Sequence, residues 1–574
     1  MIILLKLVNS AKTKWCFFLL VQAILHDIYS LSSSSSSSSA TSSSSGGGVV
    51  LFVQAQADTI AEPVACPTSA PLNPLVLKGK RFFDSVTGEY VSLRGVAYYP
   101  RPNAGSLSTD SNSIDFFSEE YRHLWEQDIQ HMKDLGVNLI RIYAVNPAVY
   151  HEAFMCTLQD AGIYVMVGLL ADCSGCNIGG RDFPAPACYT NDLKRRGQFI
   201  INEFSKYRNT LAFSAGNEVT LYARPDIHLN APCQKKFLAD MRQYVNRCRN
   251  VPNTILPRAI PIGMVNWDLE RDLQTYYFNC RNNVTDDLET PEWYGLNAYQ
   301  HCDATQDTVG TLAGWQLLRL DHARYQLPVP VIIAEFGCRE RGFETIDGWE
   351  AQRDWLQVDA IFSPQFQEVF AGGIVFEYSA EKLVVDRSSQ GNPWPYNGFM
   401  KLNYGLGYYA PVDCEHINNK PCVYNRYPEF ATLQNKLAAI DTSTGYPNMN
   451  DYISGGQTPA CPEGIPSITK FEWPTDGDEG LPCHVIYTPE PSAAPTVAAT
   501  TAVPTAAPTA IPSAAPVEVP NTETSNPTSV PDGGGEDGSG NTGSLVGPES
   551  SARRIAAGSG WILIVKMGLW SMFY

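Results

Sequence analysis

The chain has no excess of positive charge: 41 Lys and Arg stand against 59 Asp and Glu, a formal net charge of −18. Nothing basic is available to track phosphates, which argues against a nucleic-acid partner. No G-x-G-x-x-G opens a helix, so a dinucleotide site has no support. Cys173-Ser-Gly-Cys176 is the only C-x-x-C, without a second pair or a His-x-x-x-His at ligand spacing. A metal centre is therefore a weak reading, and no cofactor is expected. The apolar runs at both ends are too short to span a membrane comfortably.

Aromatic residues are plentiful by contrast, at 11 % with 11 Trp and 28 Tyr. They suit stacking on sugar faces, although ordinary core packing accounts for most of them. Of 15 Cys, Cys16 falls in the leader, and the remaining 14 could form up to seven disulfides in a secreted chain.

Residues 1–57 read as targeting sequence and low complexity. Lys12 and Lys14 precede an apolar stretch from Trp15 to Leu25, and after a serine tract Ala55-Gln-Ala57 has the small-x-small form of a cleavage site. The catalytic domain is expected over 58–410. A Cys-containing extension over 411–486 holds Cys414, Cys422, Cys461 and Cys483, tied to the barrel or forming a small separate module. A Pro/Thr/Ala/Ser/Gly stalk over 487–550 cannot form a packed core and reads as extended and disordered. The tail over 551–574 follows Ser550 in the order of a GPI-attachment signal, with Lys566 weakening the match and a transmembrane end the alternative.

Short apolar strands alternate with amphipathic segments between about residues 75 and 410. Candidate strands are 91–98, 137–144, 163–170, 211–219, 260–265, 293–299, 329–336 and 373–378, with helical spacing over 118–135 and in 191–207. Eight such strands predict an α/β fold, a (β/α)8 TIM barrel, better than an open doubly wound sheet. Active-site residues in that fold come from the C-terminal strand ends. The second strand delivers Arg141 and Tyr143, the fourth Asn217 and Glu218, the sixth Tyr299 and the seventh Glu335.

Two of these strands share one grammar. Leu211-Ala-Phe-Ser-Ala-Gly-Asn217-Glu218-Val219 and Val329-Pro-Val-Ile-Ile-Ala-Glu335-Phe-Gly337 are apolar runs that end in a carboxylate. Glycosidic-bond chemistry needs such a pair, one carboxylic acid to protonate the leaving oxygen and one carboxylate to attack or to activate water. Taken alone, Asn217-Glu218 fits a helix N-cap nearly as well. Arg141 pairs with a structural acid or with the nucleophile, and Tyr299 is a core ring or a partner of Glu335. The convergence of all of them favours the site.

Phe82-Phe-Asp-Ser, Leu93-Arg-Gly-Val-Ala-Tyr98, Asn138-Leu-Ile-Arg-Ile-Tyr143, Ala215-Gly-Asn-Glu-Val219, Tyr294-Gly-Leu-Asn-Ala-Tyr299, Ala334-Glu-Phe-Gly-Cys338 and Gly372-Gly-Ile-Val-Phe-Glu-Tyr378 together resemble glycoside hydrolase family 72. These are GPI-anchored β-1,3-glucanosyltransferases of fungal cell walls. The resemblance implies a retaining enzyme with Glu218 as acid/base and Glu335 as nucleophile, β-1,3-glucan as donor and acceptor, and the plasma membrane reached through the anchor. It implies that Tyr143 and Tyr299 line the donor sugar site, and a Cys302–Cys338 disulfide. Asn217, as a donor or acceptor to the sugar 2-hydroxyl, and Arg141 and Tyr378 are further candidate substrate contacts. Three departures stand out. A family cysteine before Asn138 is missing, which leaves Cys156 to pair elsewhere, with Cys66 the candidate. Phe376 replaces an expected Tyr. The three-Cys loop 172–188 looks like an insertion beside the third strand, able to reshape the sugar-binding cleft. The sequon Asn283-Val-Thr285 fits a secreted route. A plain endo-β-glucanase or mannanase, or an inactive glucan-binding wall protein, is the competing reading.

Overall fold

The computed structural model describes residue 66 and residues 72–483, apart from 110, 252–255, 257, 300–312, 338–344, 347–348, 351–352, 388–393, 396–402, 418 and 442–444. The leader, the stalk, Ser550 and the GPI-type tail lie outside the described residues, as do Cys302 and Cys338.

Eight parallel strands close into a barrel. In chain order they are Leu93–Ala97, Leu139–Ile142, Tyr164–Gly168, Thr210–Asn217, Ile262–Trp267, Tyr294–Asn297, Val331–Phe336 and Phe370–Val375. The eighth lies three residues upstream of its expected start, because Phe370 and Ala371 are buried in the wall while Phe376 to Tyr378 turn over its rim. Parallel strands covered by helices are buried on both faces, which explains why they read as continuous apolar runs rather than alternating ones. Leu139–Ile142 shows it: all four residues are buried, including Arg141.

Helices supply the outer layer. Arg122–Leu135 buries Leu124, Trp125, Asp128, Ile129, Met132 and Leu135 along one stripe and stops at Gly136, which takes the left-handed cap conformation at φ 81°. Asn191–Ser205 starts where Thr190 accepts a hydrogen bond from the Leu193 N–H.

Beyond the barrel, Gly407–Ala410 and Val423–Arg426 pair antiparallel and lead into the helix Pro428–Ala438. The chain after it is fastened back by Cys280–Cys461 and Cys248–Cys483, while Cys414–Cys422 closes a local loop. The other disulfides among the described residues are Cys66–Cys156, Cys173–Cys176 and Cys188–Cys233. No helix among the described residues is long and apolar enough to cross a membrane.

Candidate active site

The second, fourth, sixth and seventh strands bring their C-terminal ends to one point. Arg141 and Tyr143 stand two residues apart and share a face. Both donate to Glu335 Oε1, at 2.9 Å from Nη1 and 2.8 Å from the phenol. The Tyr299 hydroxyl donates to the other oxygen, Glu335 Oε2, at 3.0 Å. Glu335 is 2 % exposed, so an ion pair and two hydroxyls compensate a carboxylate that burial would otherwise disfavour.

Glu218 reaches the same place from an unusual backbone. Its φ of 49° and ψ of 31° lie in the left-handed region, which costs a residue with a Cβ about 1–2 kcal/mol. The preceding Gly216 has φ 138°, and a Cβ there would sit 2.7 Å from Gln234 Nε2. Only glycine fits. These two positions turn the chain sharply out of the strand, and the 3-10 helix Val219–Ala223 follows. Glu218 occupies the cap position of that short helix but makes no side-chain capping bond, which sets the capping alternative aside.

A chain of hydrogen bonds joins the two acids. Arg141 Nη2 donates to Asn217 Oδ1 at 2.6 Å, and Asn297 Nδ2 donates to Asn217 Oδ1 at 3.2 Å and to Glu218 Oε1 at 2.8 Å. Glu335 is thus connected through Arg141, Asn217 and Asn297 to Glu218. Burial, and next the Glu335 charge, push Glu218 up to about 7, with Asn297 and Arg141 acting in the opposite sense. An acid of that strength holds its proton near neutral pH and can release it there.

Asn297 was not singled out from the sequence. It ends the sixth strand, two residues before Tyr299, and pairs in register with Glu335, so its position at a strand end was the available signal. Tyr404 was also missed; it comes from beyond the barrel and packs edge-on against Tyr299 and Phe376, with centroids 5.6 Å away in each case. Phe376 presents a ring without a hydroxyl to Tyr299. Glu377 is a third buried carboxyl at this rim, raised well above the usual range by burial and then by the charges of Glu381 and Glu335.

Tyr378 is not with this group. It is fully buried, and its hydroxyl donates to Asp128 Oδ1 at 2.9 Å, while Tyr98 and Tyr409 donate to Asp128 Oδ2. It stands two residues after Phe376 and beyond the strand end at Val375, where strand alternation no longer governs side-chain direction. Asn283 is exposed, and its Oδ1 accepts from the Thr285 hydroxyl at 2.7 Å.

Residues 65–386 match the family model described as Glucanosyltransferase, glycoside hydrolase family 72. The 1,3-beta-glucanosyltransferase gas5 of Schizosaccharomyces pombe is 31 % identical over 402 residues, covering 70 % of this chain and 66 % of the relative. The 1,3-beta-glucanosyltransferase GAS5 of Saccharomyces cerevisiae is 29 % identical, covering 66 % of this chain and 67 % of the relative. The chain therefore spans about two thirds of the length of these relatives. An apo structure of Saccharomyces cerevisiae Gas2p shares the fold with a TM-score of 0.51 at 23 % identity, covering 69 % of this chain and 73 % of the other. With more than half of its length matched by that model, the chain belongs to glycoside hydrolase family 72, the glucanosyltransferases.

Proposed function

We propose that this protein is a retaining β-1,3-glucanosyltransferase, which cleaves a β-1,3-glucan internally and passes the new reducing end to a second glucan chain. The observation that carries the reading is the asymmetry of the two acids: Glu335 is an acceptor for three donors, whereas Glu218 is raised to about 7 and is linked to it through Arg141, Asn217 and Asn297.

In the first step Glu218 protonates the glycosidic oxygen while Glu335 attacks the anomeric carbon. The carbon–oxygen bond to the leaving chain breaks, and a glycosyl ester on Glu335 forms. Arg141, Tyr143 and Tyr299 orient Glu335 for that attack, and Asn217 is placed to meet the sugar 2-hydroxyl. In the second step Glu218, now ionised, takes the proton of an acceptor hydroxyl as its oxygen attacks the anomeric carbon and displaces Glu335. Water in place of the acceptor would give hydrolysis.

The family membership, the leader and the tail support a secreted protein held at the outer face of the plasma membrane by a GPI anchor, with glycan on Asn283 and a Cys302–Cys338 disulfide. The same signals support the sequence-based division at 58–410, 411–486 and 487–550. Incubation of the purified protein with a reduced laminari-oligosaccharide tests the reaction. Products longer than the substrate are expected; shorter products alone would identify a hydrolase.

A further inference from the structure

The 3-10 helix that begins after Glu218 carries Tyr222, which is 46 % exposed in a protein that buries most of its large aromatics. Its hydroxyl donates to Asp172 Oδ1 at 3.4 Å. Asp172 is itself exposed and opens the loop 172–188 that follows the third barrel strand.

That loop is held rather than loose. Cys173–Cys176 closes a turn at its start, and Cys188–Cys233 ties its end to the helix Ala231–Cys248. The Asp172 N–H donates to Asn112 O at 2.9 Å, and Asp172 Oδ2 accepts from the Asn112 N–H at 3.1 Å. On the other side the Arg181 N–H donates to Tyr222 O at 3.3 Å, and Gly180 lies so near that a Cβ would be 2.8 Å from the same oxygen. The loop therefore fixes both the ring and the carboxylate beside it.

The pair stands on the Glu218 side of the cleft. Tyr222 follows Glu218 by four residues on one short helix, and burial, then the charges of Asp172 and Glu218, raise its hydroxyl. Around Glu335 stand Tyr143 and Tyr299, with Phe376 and Tyr404 packed against Tyr299. A general acid touches the oxygen that belongs to the leaving sugar, so groups on its side meet the leaving chain and, once that chain departs, the acceptor.

We infer that Tyr222 and Asp172 form a subsite for a glucosyl unit of the acceptor chain. The exposed ring offers an apolar face to the C–H face of a sugar, and the carboxylate offers two oxygens to its hydroxyls. This subsite rests on the reading of the enzyme as a transferase, since its effect is to let a sugar hydroxyl outcompete water for the glycosyl ester.

The test uses the full secreted chain with Tyr222→Ala, Tyr222→Phe and Asp172→Asn, each made alone and combined with Glu335→Gln. With reduced laminarihexaose as acceptor, Tyr222→Ala raises the acceptor concentration for half-maximal transfer about tenfold, the usual scale for truncating one well-placed aromatic contact. It also lowers the ratio of transfer to hydrolysis, and Tyr222→Phe retains most of the wild-type value. Unchanged acceptor dependence in Tyr222→Ala overturns the subsite. If the wild-type protein turns over no β-glucan, the reaction reading fails, and calorimetric binding of laminarihexaose to the Glu335→Gln proteins decides the subsite separately. Weaker binding with Tyr222→Ala upholds it, and equal binding overturns it.

Discussion

Asn297 donates one amide hydrogen-bonding group to both Glu218 Oε1, at 2.8 Å, and Asn217 Oδ1, at 3.2 Å. Because Asn217 also receives Arg141, the Asn297 side chain closes the connection between Glu218 and Glu335. Replacing it with alanine is expected to lower kcat by about 10–100-fold by freeing the Glu218 carboxyl. The Asn297 bond opposes the rise in Glu218, so its loss also moves the alkaline limb of the pH–rate profile upward. A role confined to packing would leave that limb in place.

The pH dependence of the wild-type protein follows from Glu218. Burial and the Glu335 charge raise it to about 7, and only its protonated form can donate to the leaving oxygen. First-step activity is therefore highest below neutral pH and falls as pH rises through about 7. Initial rates on laminarin across pH 4–9 check this; a rate still rising above pH 8 would remove Glu218 from the role of acid.

Glu335→Gln keeps a side chain of the same shape but cannot form the glycosyl ester. Turnover is expected to fall by about 10⁴-fold or more, while the oligosaccharide still binds. Mass spectrometry with a slow 2-fluoro donor should show a covalent adduct on the wild-type protein and none on this variant.

Asp128 gives a stability prediction away from the site. Burial raises it to about 7 in the folded protein, against about 3.9 for an unfolded Asp, with hydroxyls of Tyr409, Tyr98 and Tyr378 opposing the rise. A raised acid contributes stability that is complete below about pH 4 and is lost as pH rises toward 7. Asp128→Asn removes that titration. The difference in urea midpoint between variant and wild type should shift in favour of the variant from pH 4 to 7, and a pH-independent difference would contradict the assignment.

The barrel and its two acids were legible in the sequence because their signals are local. A strand buried on both faces writes itself as an apolar run, and a carboxylate that ends such a run has nowhere to go but the mouth. The apolar stretch ending in Asn217-Glu218 and the one ending in Glu335 each show this without reference to the other. Arg141, Tyr143 and Tyr299 follow from strand position in the same way.

Other features depend on which distant residues meet. The eighth strand is the instructive case, since it ends at Val375, and just beyond it Phe376 faces Tyr299 while Tyr378, two residues on, goes to Asp128 on the outer helix. Tyr404 arrives from outside the barrel strands altogether, and the partners of Cys188, Cys248 and Cys280 lie 45 to 235 residues away. The sequence by itself determined the eight strands and the pair of acids, because apolar periodicity is a property of neighbours along the chain. Only the tertiary structure decided that Asn297 joins those acids and that the loop 172–188 holds Tyr222 and pairs it with Asp172, because hydrogen bonds and disulfides between separate elements leave no periodic trace.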